Sequence, residues 1–295
     1  MDIVKLSGRD KKKLVQLALP LEKVKKEKLT FPMFWSKKID GVLCLAFRDE
    51  TGEVGIFSRT GERYTSMRHL EESFGSLMNP GEIIIFEAFS AITKDQSTIS
   101  GWCRDTKNQH PELSAACHTL LTIYEFQLSG GRSFHAISNE LGRIIDKSFT
   151  EDIVLVPQYQ VDSLEEAMKL TEFVWKQGGE GGILRNPNSV YQGGKRNQDI
   201  IKIKQGVSYD LKVIDTYEGK GKYKGTLGGL ICQWKNGETI RISGMTDSQR
   251  KLWWENPELI IGQIVQVDAM TESSKGKLRE PRFKGIREDK LEGDF

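Results

Sequence analysis

Phe34-Trp35-Ser36-Lys37-Lys38-Ile39-Asp40-Gly41-Val42-Leu43-Cys44 is the stretch on which the reading of this chain turns. An apolar, aromatic run enters it, and a second apolar run, Val42 to Phe47, leaves it. That pattern predicts two strands around a tight turn, with Gly41 letting the backbone reverse. Residues i and i+2 of an extended segment face one side, so Lys38 and Asp40 can share a pocket. A lysine attacks as a nucleophile only once its ammonium has lost a proton, which burial or nearby positive charge favours. A solvated Lys-Asp pair on a surface hairpin fits the same residues, and these four positions alone do not separate the two readings.

A chain of 295 residues exceeds one small core, so two domains are expected. Hydrophobic content of 38% and charged content of 28% fit a soluble globular protein. The net charge is only +2, so any nucleic-acid surface must come from local clustering. Cys44, Cys103, Cys117 and Cys232 are widely spaced, which argues against a disulfide framework and suits a reducing compartment. Cys103, His110, Cys117 and His118 match no zinc-site spacing. No apolar run approaches the ~20 residues that span a bilayer, and the start lacks the apolar core of a secretion signal. A cytoplasmic protein without a membrane partner is expected.

Working outward, residues 10–28 read as a helix capped by Asp10, with Leu14, Leu17 and Leu21 as its stripe and Pro20 as a kink. Strands are predicted at 33–37, 42–48, 53–58 and 82–89, with Thr51-Gly52 as a hairpin turn. A helix at 66–75, a strand at 120–128, a helix at 133–147, a strand at 153–161 and a helix at 163–177 follow. The last of these carries Ser163 as cap with Glu166 three residues on. Strands at 181–185 and 199–204 complete an α+β domain over residues 1–205. From 206 to 295, strands at 208–217, 227–235, 238–243, 263–270 and 282–286 with one helix at 247–254 predict a small, partly open OB-type β-barrel.

Several charged residues sit where folding alone does not put them. Glu87 lies inside Ile83-Ile84-Ile85-Phe86-Glu87-Ala88-Phe89, and an unpaired carboxylate there costs several kcal/mol. Glu180 is enclosed by Gly178-Gly179 and Gly181-Gly182, where backbone can approach a ligand closely. Lys202 and Lys204 share one face of Ile200-Ile201-Lys202-Ile203-Lys204 and suit a polyanion such as a triphosphate. Arg59 ends a strand and can grip a phosphate; Phe126 and Tyr124 share a strand face, and either can stack on a base. Positive charge clusters in residues 194–224 (Lys195, Arg196, Lys220, Lys222 and Lys224 among them) and again in 275–287, with Arg279, Arg282 and Arg287. Interleaved aromatics such as Tyr223 and Phe283 make these candidate nucleic-acid surfaces.

In this order, the motifs resemble those of the covalent nucleotidyltransferases, and of the minimal, phage-type ATP-dependent DNA ligases in particular. Lys38-Ile39-Asp40-Gly41 is similar to K-x-D-G, Ser58-Arg59-Thr60-Gly61 to S-R-x-G, Glu180-Gly181-Gly182-Ile183 to E-G-[LV]-[VI], and Lys202-Ile203-Lys204 to K-x-K. Glu87 resembles the carboxylate of the third motif, Ser100-Gly101-Trp102-Cys103-Arg104 falls at the family's usual distance, and Phe126 resembles the aromatic that stacks on adenine. Leu278 to Phe283 with Arg287 resembles the closing segment of the OB domain. The resemblance implies an adenylation domain followed by an OB domain, ATP as cofactor with AMP carried on Lys38, and Mg2+ or Mn2+ held near Glu87 and Glu180. It implies nicked double-stranded DNA as partner and a monomer, and a phage protein in its host's cytoplasm fits. RNA ligases, capping guanylyltransferases and a non-catalytic nick-binding OB protein are the alternatives. One departure stands out: the family's arginine two residues after the K-x-D-G glycine is Leu43 here, with Arg48 or Arg63 as possible substitutes.

Overall fold

The structure is a computed structural model that describes residues 2–147, 150–269 and 276–295. The chain divides into two compact units, Met1–Lys204 and Gln205–Phe295.

The first unit opens with a short helix, α1 (Ile3–Ser7), capped by the Asp2 carboxylate. No helix spans 10–28. A single 3-10 turn, Lys11–Lys13, follows Asp10, then the extended pair β1 (Leu19–Pro20) and two more 3-10 turns. The physical reason is Pro20, which lacks a backbone N–H and pushes Leu19 out of the helical region. Leu19 and Pro20 instead run parallel to Ile201 and Lys202. Leu14 and Val15 still bury, into a different cluster from Val24.

The strands that follow are β2 (Met33–Lys38), β3 (Val42–Arg48), β4 (Val54–Ser58) and β5 (Arg63–Tyr64), then helix α2 (Arg68–Leu77) and β6 (Glu82–Ser90). Next come α3 (Gln96–Arg104), β7 (Leu113–Thr122), α4 (Ile123–Leu128) and α5 (Phe134–Asp146). β8 (Ile153–Leu155), β9 (Tyr159–Val161), α6 (Leu164–Lys176), β10 (Gly181–Arg185) and β11 (Ile200–Lys204) end the unit. They build two sheets, ordered β5-β4-β3-β6-β7-β8 and β1-β11-β10-β2-β9. The β3–β4 hairpin is the predicted one: Asp49 accepts from the backbone of Thr51 and Glu53, and Gly52 turns at φ +89°.

β2 and β3 are not a hairpin. They belong to different sheets, so Ile39, Asp40 and Gly41 carry the chain from one sheet to the other. The glycine is needed for room rather than for reversal: a Cβ at Gly41 would lie 2.5 Å from the Ala88 carbonyl oxygen of β6. The run predicted as a strand at 120–128 also splits. It is the end of β7 followed by α4, because Thr122 and Glu125 close a capping box: the Thr122 hydroxyl accepts from the Glu125 N–H, and the Glu125 carboxylate accepts from the Thr122 N–H. The run 153–161 breaks around Pro157 into β8 and β9, one in each sheet. Ser163 caps α6 as expected, though Glu166 reaches the N–H of Asp162 rather than that of Ser163.

The second unit holds β12 (Val207–Glu218), β13 (Leu227–Gln233), β14 (Thr239–Ile242), α7 (Asp247–Glu255), β15 (Ile264–Ala269) and β16 (Arg282–Ile286). β12 is long enough to pair with β15 through its first half and β13 through its second, in the order β14-β13-β12-β15-β16. A parallel bridge between Ser243 and Arg282 joins the two outer strands, as in an OB-type barrel. Leu230, Trp234, Val265 and Phe283 are among its core residues. Two earlier expectations, a strand reaching residue 270 and Lys275 in the basic run, fall outside the described residues.

Two glycines carry opposite expectations. Gly41→Ala forces β3 away from β6 and costs about 1–3 kcal/mol. Gly101, inside α3 with open space where a Cβ would go, gains up to about 1 kcal/mol on substitution by alanine. Urea unfolding of the two variants checks both signs; equal effects would remove the close-approach account of Gly41.

Candidate active site

Three adjacent strands set out the charged side chains. Gly181 of β10 stands opposite Lys38 of β2 on one side and Lys204 of β11 on the other. One step along, Ile183 stands between Ser36 and Lys202. Period-2 alternation keeps Lys202 and Lys204 on one face, while Ile201 and Ile203 bury on the other. The two outer strands of such a triplet are roughly 10 Å apart, and Gly181 puts no side chain between them. Glu180, one residue earlier, fills the gap. One of its carboxylate oxygens accepts from Lys38 Nζ at 2.6 Å and the other from Lys204 Nζ at 2.6 Å. Burial pushes the Glu180 carboxyl up, but Lys38 and Lys204 outweigh it and hold the group below its usual range.

The glycines around Glu180 serve packing. A Cβ at Gly181 would collide with the Ile203 carbonyl, and Gly181 also sits at φ +148°. A Cβ at Gly182 would collide with the Trp35 indole. The run is therefore not a flexible turn; it lets three strands and α6 close up around one carboxylate.

Glu87 comes from the other sheet, where β6 places it opposite Leu43 of β3. Burial pushes its carboxyl up to about 7; Lys38 pulls against that shift and Glu180 adds to it. Among the described residues it accepts no hydrogen bond. Arg48 and Arg63 do not stand in for the arginine that Leu43 replaces. Arg48 donates to the carbonyls of Gly75 and Met78 near the end of α2, and Arg63 pairs with Glu71.

A cleft of about 220 Å³ lies within the first unit, and Lys38, Arg59, Glu87, Lys202, His118 and Arg196 are among its lining. Arg59 is exposed there because Ser58 ties the turn behind it, its hydroxyl accepting from the N–H groups of Thr60 and Glu62. Gln16, Leu17 and Ala18 form part of the wall. They are strapped down by the Leu17 N–H to the Lys195 carbonyl and the Gln192 N–H to the Gln16 side chain.

Phe126 does not reach this cleft. It is fully buried in α4, stacked on Tyr191 and covered by the Arg9 guanidinium, which also donates to the carbonyls of Phe126 and Gln127. Tyr124 points out to solvent. The rings that do line the cleft are His118 and Tyr191. Arg185 donates to His118 Nδ1 at 3.0 Å and to the Thr119 hydroxyl at 2.9 Å. A guanidinium can only donate, so Nδ1 accepts and the ring proton sits on Nε2. Burial, then the Arg185 charge, hold His118 well below the usual histidine range, so it is neutral. In the sequence His118 stands out only beside Cys103, His110 and Cys117, a set with no zinc-site spacing, and nothing local marks it as facing a cleft.

The basic candidates fall into two groups. Lys195 and Arg196 are exposed on the connection between β10 and β11. In the second unit Lys220, Lys222 and Lys224 are exposed around a 3-10 turn, with Lys222 Nζ 4.4 Å from the Tyr223 ring centroid. Arg282 is exposed and Arg279 half-buried. Arg287 is engaged by Asp210 at 2.8 Å and Asp289 at 2.7 Å. Among the described residues no group of three or more His, Cys, Asp and Glu is arranged around a metal position, and all four cysteines are buried thiols.

A family model described as an ATP dependent DNA ligase domain matches residues 14–204, and one described as a DNA ligase OB-like domain matches residues 218–287. The DNA ligase of Haemophilus influenzae is 26% identical over 254 residues, covering 84% of this chain and 83% of that one. DNA ligase 2 of Korarchaeum cryptofilum is 34% identical over 220 residues, 70% of this chain but only 37% of the longer relative. A solved structure from a structure-function study of Lig E DNA ligases aligns with a TM-score of 0.76 at 19% identity, over 92% of this chain and 98% of that one, a likeness of fold.

Glu87 supplies a pH test in metal-free protein. Its folded value near 7 exceeds the ordinary value of 4.5. Below about pH 4 both folded and unfolded states hold the proton and the group is neutral in effect. As pH rises toward 7 the unfolded chain loses the proton while the fold keeps it, so stability falls; above 7 the loss is complete and levels off. Glu87→Gln removes this slope, so the variant gains on the parent by an amount on the order of 3 kcal/mol between pH 4 and 8. Urea midpoints across that range check it, and a constant gap between the two proteins would contradict it.

Proposed function

The chain belongs to the ATP-dependent DNA ligase family, and from that we propose that it seals nicks in duplex DNA with Lys38 as the residue that carries AMP. The carrying observation is the Lys38–Glu180–Lys204 bridge at the edge of a cleft that Glu87, Arg59 and Lys202 also line. In this reading residues 1–205 form the adenylation domain and 206–295 the OB domain.

Lys38 Nζ attacks the α-phosphorus of ATP. The N–P bond forms as the bond to pyrophosphate breaks, and pyrophosphate leaves. The amine must be uncharged at that moment. Glu180 holds the Lys38 side chain in place beforehand, and Lys202 and Lys204 bring positive charge that offsets the charge building on phosphate. An oxygen of the nick's 5′-phosphate then takes AMP from Lys38, which restores the free amine. Finally the 3′-hydroxyl attacks that 5′-phosphate, and AMP leaves.

The donor set fits a divalent ion such as Mg2+ at Glu87, a mostly buried carboxylate that faces the cleft with no hydrogen-bond partner among the described residues. Such an ion supplies charge neutralisation on the phosphates. Glu180 joins it only by giving up one of its two lysines. His118 and Tyr191, the rings in the cleft lining, take the base-facing part first assigned to Phe126. Exposed Lys195, Arg196, Lys220, Lys222, Lys224 and Arg282 support binding to the backbone of nicked DNA, with Arg279 beside them. We assign a monomer acting in the compartment where it is made; no described helix is long and apolar enough to cross a membrane.

Incubation with α-labelled ATP and Mg2+ should give an acid-labile adduct that maps to Lys38. Lys38→Ala should give none and still shift nicked duplex in a gel. GTP should not replace ATP, and nicked RNA should not replace nicked DNA. Label on the Lys38→Ala protein would take the nucleophile elsewhere.

A further inference from the structure

To bridge two lysines on separate strands, the Glu180 carboxylate depends on where its backbone is held. Glycines occupy the two positions on either side, so no side chain adjacent in sequence packs against it. Strand pairing begins only at Gly181. Before that, the chain leaves α6 by a turn in which Gly178 N–H donates to the Trp175 carbonyl and Gly179 N–H to the Val174 carbonyl, both at 2.9 Å. The Trp175 indole then crosses the turn and donates its Nε1–H to the Glu180 carbonyl at 3.3 Å. One residue thus ties both ends of the turn, through its own carbonyl at one end and its side chain at the other. Its ring is partly buried against the cluster built on Met33, Trp35, Leu184 and Ile203, which anchors it to the same three strands.

We infer that Trp175 is a positioning residue for the adenylation step: its indole N–H fixes the backbone of Glu180 and so centres the carboxylate between Lys38 and Lys204. The inference rests on Lys38 being the adenylated residue. Supporting groups matter at this scale because a misplacement of about 1 Å in reacting groups costs on the order of a hundredfold in rate. A bond at the long end of the hydrogen-bond range contributes little to global stability, so losing it should reach the reaction before it reaches the fold.

The test is single-turnover formation of the labelled adduct by the full chain, as a function of ATP, together with the thermal midpoint. Trp175→Phe keeps a ring and removes the donor. Replacing Trp175 with 3-benzothienylalanine keeps the bicyclic shape and puts sulfur where the N–H was, which carries the test should the phenylalanine variant fold poorly. In either, the rate at saturating ATP should fall about tenfold or more, with half-saturating ATP within about twofold of the parent and the midpoint unchanged. Parental rates in the benzothienyl protein, or a fall in rate that follows loss of folded protein in both, would overturn the inference while leaving Lys38 in its role. An adduct that never forms on Lys38 of the parent would overturn the reading beneath it, and this inference with it.

Discussion

One carboxylate between two ammonium groups sets the terms for this molecule. Glu180 draws Lys38 and Lys204 together from strands that flank β10. Neither lysine can be stripped of water cheaply by itself, and Glu180 cannot either. Together they balance, and the balance needs three strands in one register with nothing bulky between the outer two. That requirement explains Gly181 and Gly182 better than any need for flexibility, since alanine at either position would strike a neighbouring strand.

The second constraint is that the cleft must have two walls. β2 carries Lys38 in one sheet and β6 carries Glu87 in the other, and the crossing at Ile39–Asp40–Gly41 brings them to the same opening. Gly41 lets the crossing chain touch β6 directly. A hairpin would have kept β2 and β3 in a single sheet, leaving the Lys38 side of β2 without an opposing wall. Enclosure matters because charge interactions strengthen as water is excluded.

Much of this was legible in the residue order, and the omissions have physical causes. Isoleucines alternating with Lys202 and Lys204 read correctly, because a strand's two-residue period is local. The short strands after residue 206 read correctly for the same reason, each being bounded by turn residues. Which sheet a strand joins is a long-range matter, so Gly41 read as a turn residue when it is needed for room against β6. The apolar run from Leu120 to Leu128 outweighed Thr122 and Glu125, whose spacing is a helix-start signal; Phe126 was therefore placed on a strand face when it lies beneath Arg9 in a helix. Leucines at 14, 17 and 21 had helical spacing, yet Pro20 and pairing with β11 decided that segment.

Leu43 shows how one departure from a family pattern spreads. It stands opposite Glu87, where an arginine would have been a ready partner. Without it, Arg185 is the guanidinium whose charge bears on Glu87, and Arg185 is committed to His118 and Thr119. Burial then dominates, and the Glu87 carboxyl rises to about 7. Close to neutral pH the group therefore sits between its protonated and ionised forms. The missing side chain thus bears on the charge of Glu87 while leaving the Lys38–Glu180–Lys204 bridge intact.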